Sequence, residues 1–153
     1  MSLAVGNPAP SFEAKDQNGN IIKLSDFKGK KVILYFYPKD DTPGCTAENC
    51  SLRDHYATLK DMGYLIYGVS PDNEKKHLKF KDKYQLPFPL IADTEARLLS
   101  AFGAWGEKSM YGKKYFGVLR STFIINEEGK VAHVIDKVDT KAHAEQIIAL
   151  LKS

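Results

Sequence analysis

Residues 31–50, KVILYFYPKDDTPGCTAENC, constrain this chain more than any other stretch, because they hold both cysteines and change periodicity halfway. Val32 to Tyr37 is an unbroken run of β-branched and aromatic residues, as expected of a strand buried on both faces. Pro38 stops it, since proline has no N–H for a sheet ladder. From Thr42 the signals are those of a helix start: Thr42 as N-cap, Pro43 at the first helical position and acidic Glu48 soon after. Cys45 therefore falls in a first helical turn, on a tight loop leaving a buried strand.

That position has chemical consequences. A thiol reacts as its thiolate, and the first turn of a helix offers unpaired N–H groups and the positive end of the helix dipole. Cys45 is expected to be more acidic and reactive than a cysteine elsewhere; the alternative is a small buried hydrophobe. Cys50 lies five residues on, so in an intact helix the two Cα atoms stand roughly 8–9 Å apart. A disulfide needs about 7 Å or less. A Cys45–Cys50 bond is excluded with the helix formed and easy once its first turns unwind, which is the geometry of a switch. With no second cysteine pair and no Cys-His cluster, the three or four ligands of a zinc site are lacking.

Pro38-x-x-x-Thr42-x-x-Cys45 resembles the active-site motif of the peroxiredoxins, and Cys45-Thr-Ala-Glu-Asn-Cys50 that of the bacterioferritin comigratory protein, or peroxiredoxin Q, subgroup. The resemblance continues in order through Val69-Ser-Pro-Asp72, residues 83–90, Phe102-Gly-Ala-Trp-Gly-Glu107, residues 110–113 and residues 117–125, nearly the whole chain. It implies a thioredoxin-like fold and a thiol peroxidase. In that reading Cys45 attacks a hydroperoxide and becomes a sulfenic acid, Cys50 resolves it as an intramolecular disulfide, and a thioredoxin-type protein reduces the pair. It also implies that Thr42 touches the peroxide and that Arg120, in Gly117-Val-Leu-Arg-Ser-Thr122, lies beside the Cys45 thiolate. Glu48 would hold Arg120; its other reading is an acid complementing the helix dipole. Trp105 matches a position near the pocket, or is simple packing. No cofactor or metal is required, and the chain is taken as a monomer.

The remaining chain agrees with one domain spanning 1–153. Its 43% apolar and 27% charged residues are ordinary for a soluble globular protein, and the net charge of +3 is dispersed, which argues against nucleic-acid or membrane partners. Two cysteines suit a reducing compartment, and neither a signal peptide nor a membrane-length apolar run is present, so the expected location is the cytoplasm.

In order, the patterns predict a hairpin over 11–24, the strand at 31–37, a helix over 43–62 closed by Gly63, and a strand from Tyr64 to Val69. A lysine-rich amphipathic helix over 73–84, a short strand Leu90–Ala92 and a helix over 95–102 follow. Residues 103–117, with four glycines, read as an irregular excursion; Ser121–Ile125 and Lys130–Ile135 as a hairpin; and 140–152 as a final helix. The sum is an α/β layer sandwich, thioredoxin-like, with a central mixed sheet flanked by helices and an N-terminal hairpin. His55, His77, His133 and His143 stand at no ligand spacing and read as surface or incidental residues. Thioredoxin's own Cys-x-x-Cys is missing, which disfavours disulfide exchange as the primary task. Two rivals remain: a dithiol oxidoreductase or peroxide sensor that passes its disulfide to a partner, and a non-catalytic binding module with an inert Cys45.

Overall fold

The architecture, taken from a computed structural model that describes residues 3–152, is built on the predicted central strand. β1 (Glu13–Asp16) and β2 (Ile21–Lys23) form the N-terminal hairpin, and β3 (Lys31–Phe36) is the buried strand. α1 (Pro43–Asp54), α2 (Tyr56–Asp61), β4 (Tyr64–Ser70), α3 (Glu74–Tyr84), β5 (Leu90–Ala92) and α4 (Arg97–Ala101) follow. The chain then runs through β6 (Trp105–Met110), β7 (Lys113–Val118), β8 (Ser121–Ile125), β9 (Val131–Ile135) and α5 (His143–Lys152).

Seven strands make one mixed sheet in the order β2-β1-β5-β4-β3-β8-β9. β3, β4 and β5 run parallel, whereas β8 pairs antiparallel with β3 and β1 antiparallel with β5. This is the thioredoxin-like layer sandwich expected from the sequence. After Lys31, β3 is apolar because both its faces are covered: Val32, Leu34 and Phe36 join one core with Leu98, Leu99, Phe102 and Phe123. Ile33, Tyr35 and Tyr37 join the other with Cys45, Leu52, Leu59, Phe80, Ala144 and Ile147. α1, α2, α3 and α5 thus share one face of the sheet, and Cys45 belongs to their core. Gly68 on β4 stands directly beside Tyr35, and a Cβ there would meet the tyrosine hydroxyl at 2.6 Å. The missing side chain lets the phenol cross β4 toward α1.

Three predicted elements differ. The helix expected over 43–62 is interrupted at His55, whose Nδ1 lies 3.0 Å from the Ser51 carbonyl. That carbonyl would accept the His55 N–H in a continuous helix; the His55 N–H turns instead to Arg53 O. Residues 103–117 are not irregular: β6 and β7 form a separate two-stranded antiparallel sheet with Trp105 opposite Val118 and Met110 opposite Lys113. Tyr111 and Gly112, at φ 53 and 77, make its two-residue turn, the conformation such hairpins prefer. Two of the glycines, Gly106 and Gly117, are cross-strand partners rather than loop residues. The helix expected over 95–102 is confined to Arg97–Ala101, because Ala96 is left-handed (φ 56) and the Asp93 carboxylate caps the amides of Leu98 and Leu99.

Candidate active site

The loop between β3 and α1 reverses at Asp41, which holds a left-handed φ of 58 that Asp tolerates better than most residues. Its carboxylate accepts bonds from Lys83 Nζ and Tyr84 OH, both at 2.8 Å, tying the loop to α3. Pro38 is half-buried just past the end of the strand. Thr42 has the backbone of an N-cap, yet its hydroxyl does not cap the helix; it donates to Lys39 O at 2.9 Å and closes the loop upon itself. Thr46 N makes the first helical bond, to Thr42 O, so the amides of Gly44 and Cys45 have no carbonyl within the helix to bond.

Cys45 is buried in that first turn, 1% exposed. Arg120, on the approach to β8, brings Nη2 to 3.3 Å from Cys45 Sγ and donates from Nη1 to Glu48 Oε1 at 2.5 Å. One guanidinium therefore bridges the thiol and a carboxylate on the same helix. Arg120 is not the solvated charge that an arginine beside a loop would be by default, and Glu48, fully buried in the second turn, is not a surface acid complementing the dipole. Burial raises the Glu48 carboxyl to about 7 despite the opposing charge and hydrogen bond of Arg120. A guanidinium stays protonated and can stabilise an anion on sulfur and on an oxygen leaving it.

Both cysteines are free; Cys50 is only half-buried, and burial pushes the Cys50 thiol up. Both lie within α1, so the roughly 8–9 Å separation of the intact helix holds. The first turn is anchored from below: Tyr35 OH donates to Asn49 Oδ1 at 2.5 Å, and Asn49 Nδ2 donates to the Cys45 carbonyl at 2.8 Å. Burial raises the Tyr35 hydroxyl well above its ordinary value, which keeps it a donor.

Two histidines correct the expectation of surface positions. His77 and His143 are both fully buried. His77 Nδ1 meets Asp40 Oδ2 at 2.5 Å while its Nε2 meets Ile91 O at 2.9 Å, and Tyr37 OH bonds the other Asp40 oxygen. His143 bonds Thr122 Oγ1 and Gln146 Oε1. The signal that could have found them is spacing: His77 stands three residues before Phe80 and His143 four before Ile147, so each shares its helix's inward stripe. His55 is half-buried and pairs with Glu145 at 3.1 Å; His133 is half-buried on β9. Trp105 begins β6 half-buried against the core on the sheet face opposite Cys45's core. No group of three potential ligands gathers for a metal among the described residues.

Against known proteins, a model of the AhpC/TSA family matches residues 5–134. The peroxiredoxin Bcp of Bacillus subtilis is 46% identical over 152 residues, covering 99% of this chain and 97% of that protein. The Escherichia coli K12 peroxiredoxin Bcp is 42% identical, covering 98% and 96%. Among solved structures, the bacterioferritin comigratory protein of Xanthomonas campestris, studied for alkyl peroxide reduction, superposes with a TM-score of 0.90 at 35% identity, over 97% of this chain and 98% of that one.

Proposed function

The chain belongs to the AhpC/TSA family and is a peroxiredoxin-type thiol peroxidase, and we propose that Cys45 is its peroxide-reactive residue and Cys50 the one that resolves it. The observation that carries this is the 3.3 Å contact between Arg120 Nη2 and Cys45 Sγ in a buried first helical turn. The Cys45 thiolate attacks the O–O bond of hydrogen peroxide or an organic hydroperoxide; sulfur takes the OH, and the alkoxide or hydroxide leaves and is protonated. Arg120 offsets the negative charge before and during this transfer. Thr42 and Pro38 shape the loop that receives the peroxide, and Glu48 orients Arg120 by accepting its second N–H. Cys50 then condenses with the sulfenic acid, releasing water and forming the disulfide. A thioredoxin-type dithiol returns both thiols by exchange.

The cycle draws both sulfurs from one helix, which supports a monomer acting within one thioredoxin-like domain over 1–153. Two cysteines in a chain of this size suit a reducing compartment such as the cytoplasm; among the described residues no helix is long and apolar enough to cross a membrane. Stopped-flow mixing of reduced protein with a series of hydroperoxides tests the assignment. One equivalent should be consumed rapidly by the parent and by Cys50→Ser, the latter stalling as a sulfenic acid. Cys45→Ser should be folded and inert. Turnover in Cys45→Ser would assign the chemistry elsewhere.

A further inference from the structure

Glu48 uses only one of its carboxylate oxygens. Oε1 accepts from Arg120, whereas Oε2 is fully buried and is the one buried side-chain polar atom without a hydrogen-bond partner among the described residues. Such an atom is costly unless something completes it. Besides Arg120, the cation-forming group beside it is the His143 imidazole of α5, whose Nε2 lies 3.6 Å from Oε2; the Glu48 and His143 side chains are both wholly shielded from solvent. Resting on the peroxidase reading above, we propose that His143 is a positioning residue of this site: its Nε2 receives a proton-bearing Oε2 of Glu48, and so governs how much of the Arg120 charge is left for the Cys45 sulfur.

The hydrogen-bond inventory fixes the tautomer. Gln146 donates from Nε2 to Lys137 O at 2.9 Å and accepts from Asp139 N on Oε1 at 3.0 Å, which settles its orientation. The same Oε1 faces His143 Nδ1 at 2.9 Å, so Nδ1 carries the hydrogen. In the neutral ring Nε2 is then an acceptor, shared between the Thr122 hydroxyl at 2.7 Å and the unpartnered Glu48 oxygen. An ionised Oε2 would face that lone pair without a proton between them. A protonated one gains a partner by a small rotation.

The neighbours agree on where the proton resides. Around Glu48 stand Arg120 from the β8 approach, Cys45 on its own helix, Tyr35 from β3 and His143 from α5. Around His143 stand Gln146 on its own helix, Asp139 before it, Thr122 and Arg120. Burial raises the Glu48 carboxyl to about 7, and burial, aided by the Arg120 charge, lowers the His143 imidazole. The carboxyl keeps the proton and the imidazole stays neutral. With Glu48 protonated, the Arg120 charge is available to the Cys45 thiolate; with Glu48 ionised, two anions compete for one cation in a buried site. Peroxide reactivity per thiolate is thereby tied to a proton held behind the arginine.

The test is the pH profile of Cys45 oxidation by hydrogen peroxide, with each rate constant divided by the thiolate fraction read from ultraviolet absorbance. In the parent this quantity should decline as pH rises through about 7. His143→Leu, which removes the acceptor, should move the decline down by about one pH unit, the size of one hydrogen bond to an ionisable group. His143→Gln, which keeps an acceptor oxygen, should restore it. A decline at the same pH in His143→Leu overturns the proposal. Should that variant not fold, the parent still decides: its His143 Nε2 nitrogen resonance should step with the Glu48 titration and lose that step in Glu48→Gln. A resonance indifferent to Glu48 overturns the proposal equally. Failure of the parent to oxidise Cys45 would count against the peroxidase reading, and the imidazole resonance would then decide the pair on its own.

Discussion

Arg120 joins two buried groups with one guanidinium, and that geometry makes it the most informative single residue to change. Arg120→Met preserves the packing of the stem and removes both N–H contacts, to Cys45 Sγ and to Glu48 Oε1. Loss of one good charge-stabilising donor costs ~10²–10³ in rate, so stopped-flow oxidation of the variant should slow by that order. A rate equal to the parent's would make the 3.3 Å contact incidental. Cys45 and Cys50 stand out in the sequence by their place at a strand-to-helix turn and by their spacing. Thr42 reads as a helix cap and Arg120 as a solvated charge until the family resemblance gives each a place at the site; the contact of Arg120 with Cys45 is what the structure adds. Glu48 was legible as a partner for Arg120 but equally as a dipole acid, and only its burial separates the two. For His143 the inward position is readable from spacing but its partners are not: Glu48 and Thr122 lie far away in sequence and meet it only when α1, β8 and α5 pack together. Thr42 shows the reverse case, a residue correctly placed whose hydroxyl makes a different bond from the one its type suggested.

Among the elements, α1 is the one that the proposed Cys45–Cys50 step would have to change. Its positions 48 and 51, with His55 just past its end, meet the start of α5: Glu48 faces His143, Ser51 Oγ accepts from Ala144 N at 3.0 Å, and His55 pairs with Glu145. Tyr35 and Asn49 hold its first turn to β3. Joining Cys45 to Cys50 requires the helix to unwind between them. Pro43, Gly44, Thr46, Asn49 and Ser51 contribute little helix propensity to resist that. Oxidation should therefore lower amide protection across 46–51, where the helical N–H bonds begin, and also at Ala144, whose N–H loses the Ser51 hydroxyl. β3 should stay protected. Hydrogen exchange on peroxide-treated and thiol-reduced protein measures this; equal protection in both states, with the disulfide confirmed by mass, would mean that α1 is not the switch. The predicted end of this helix at Gly63 was right, since a left-handed glycine was needed there (φ 91), while the break at His55 went unseen because no proline or glycine marks it. The β6–β7 hairpin was missed for a related reason. Its turn is Tyr-Gly, outside the usual Asn-Gly or Asp-Gly signal, and its glycines sit inside strands where they read as loop.

At the scale of the whole molecule, the mixed sheet and the inward faces of the helices followed from periodicity, but the strand order did not, because nothing in a local pattern states that β1 joins β5 or that β8 lies beside β3. The same long-range packing buries an acid under α1 and links global stability to pH. Glu48 rises from 4.5 in a free chain to about 7 in the fold, burial outweighing the attraction of Arg120. A group raised in this way binds its proton more tightly in the folded state. Its contribution is fully present below 4.5 and is lost as pH rises through about 7. The change amounts to about 3 kcal/mol, a sizeable share of a small domain's stability. His143 acts in the opposite sense, since its lowered value disfavours the fold as pH falls through it. The comparison must therefore isolate the acid. Glu48→Gln retains the shape and cannot ionise, so the unfolding free energy of the parent relative to this variant should fall by about 3 kcal/mol between pH 4.5 and 7. Urea unfolding at a series of pH values measures both curves. Parallel curves would show that Glu48 does not titrate with folding, and a difference that grows with pH would show that the attraction of Arg120 outweighs the cost of burial.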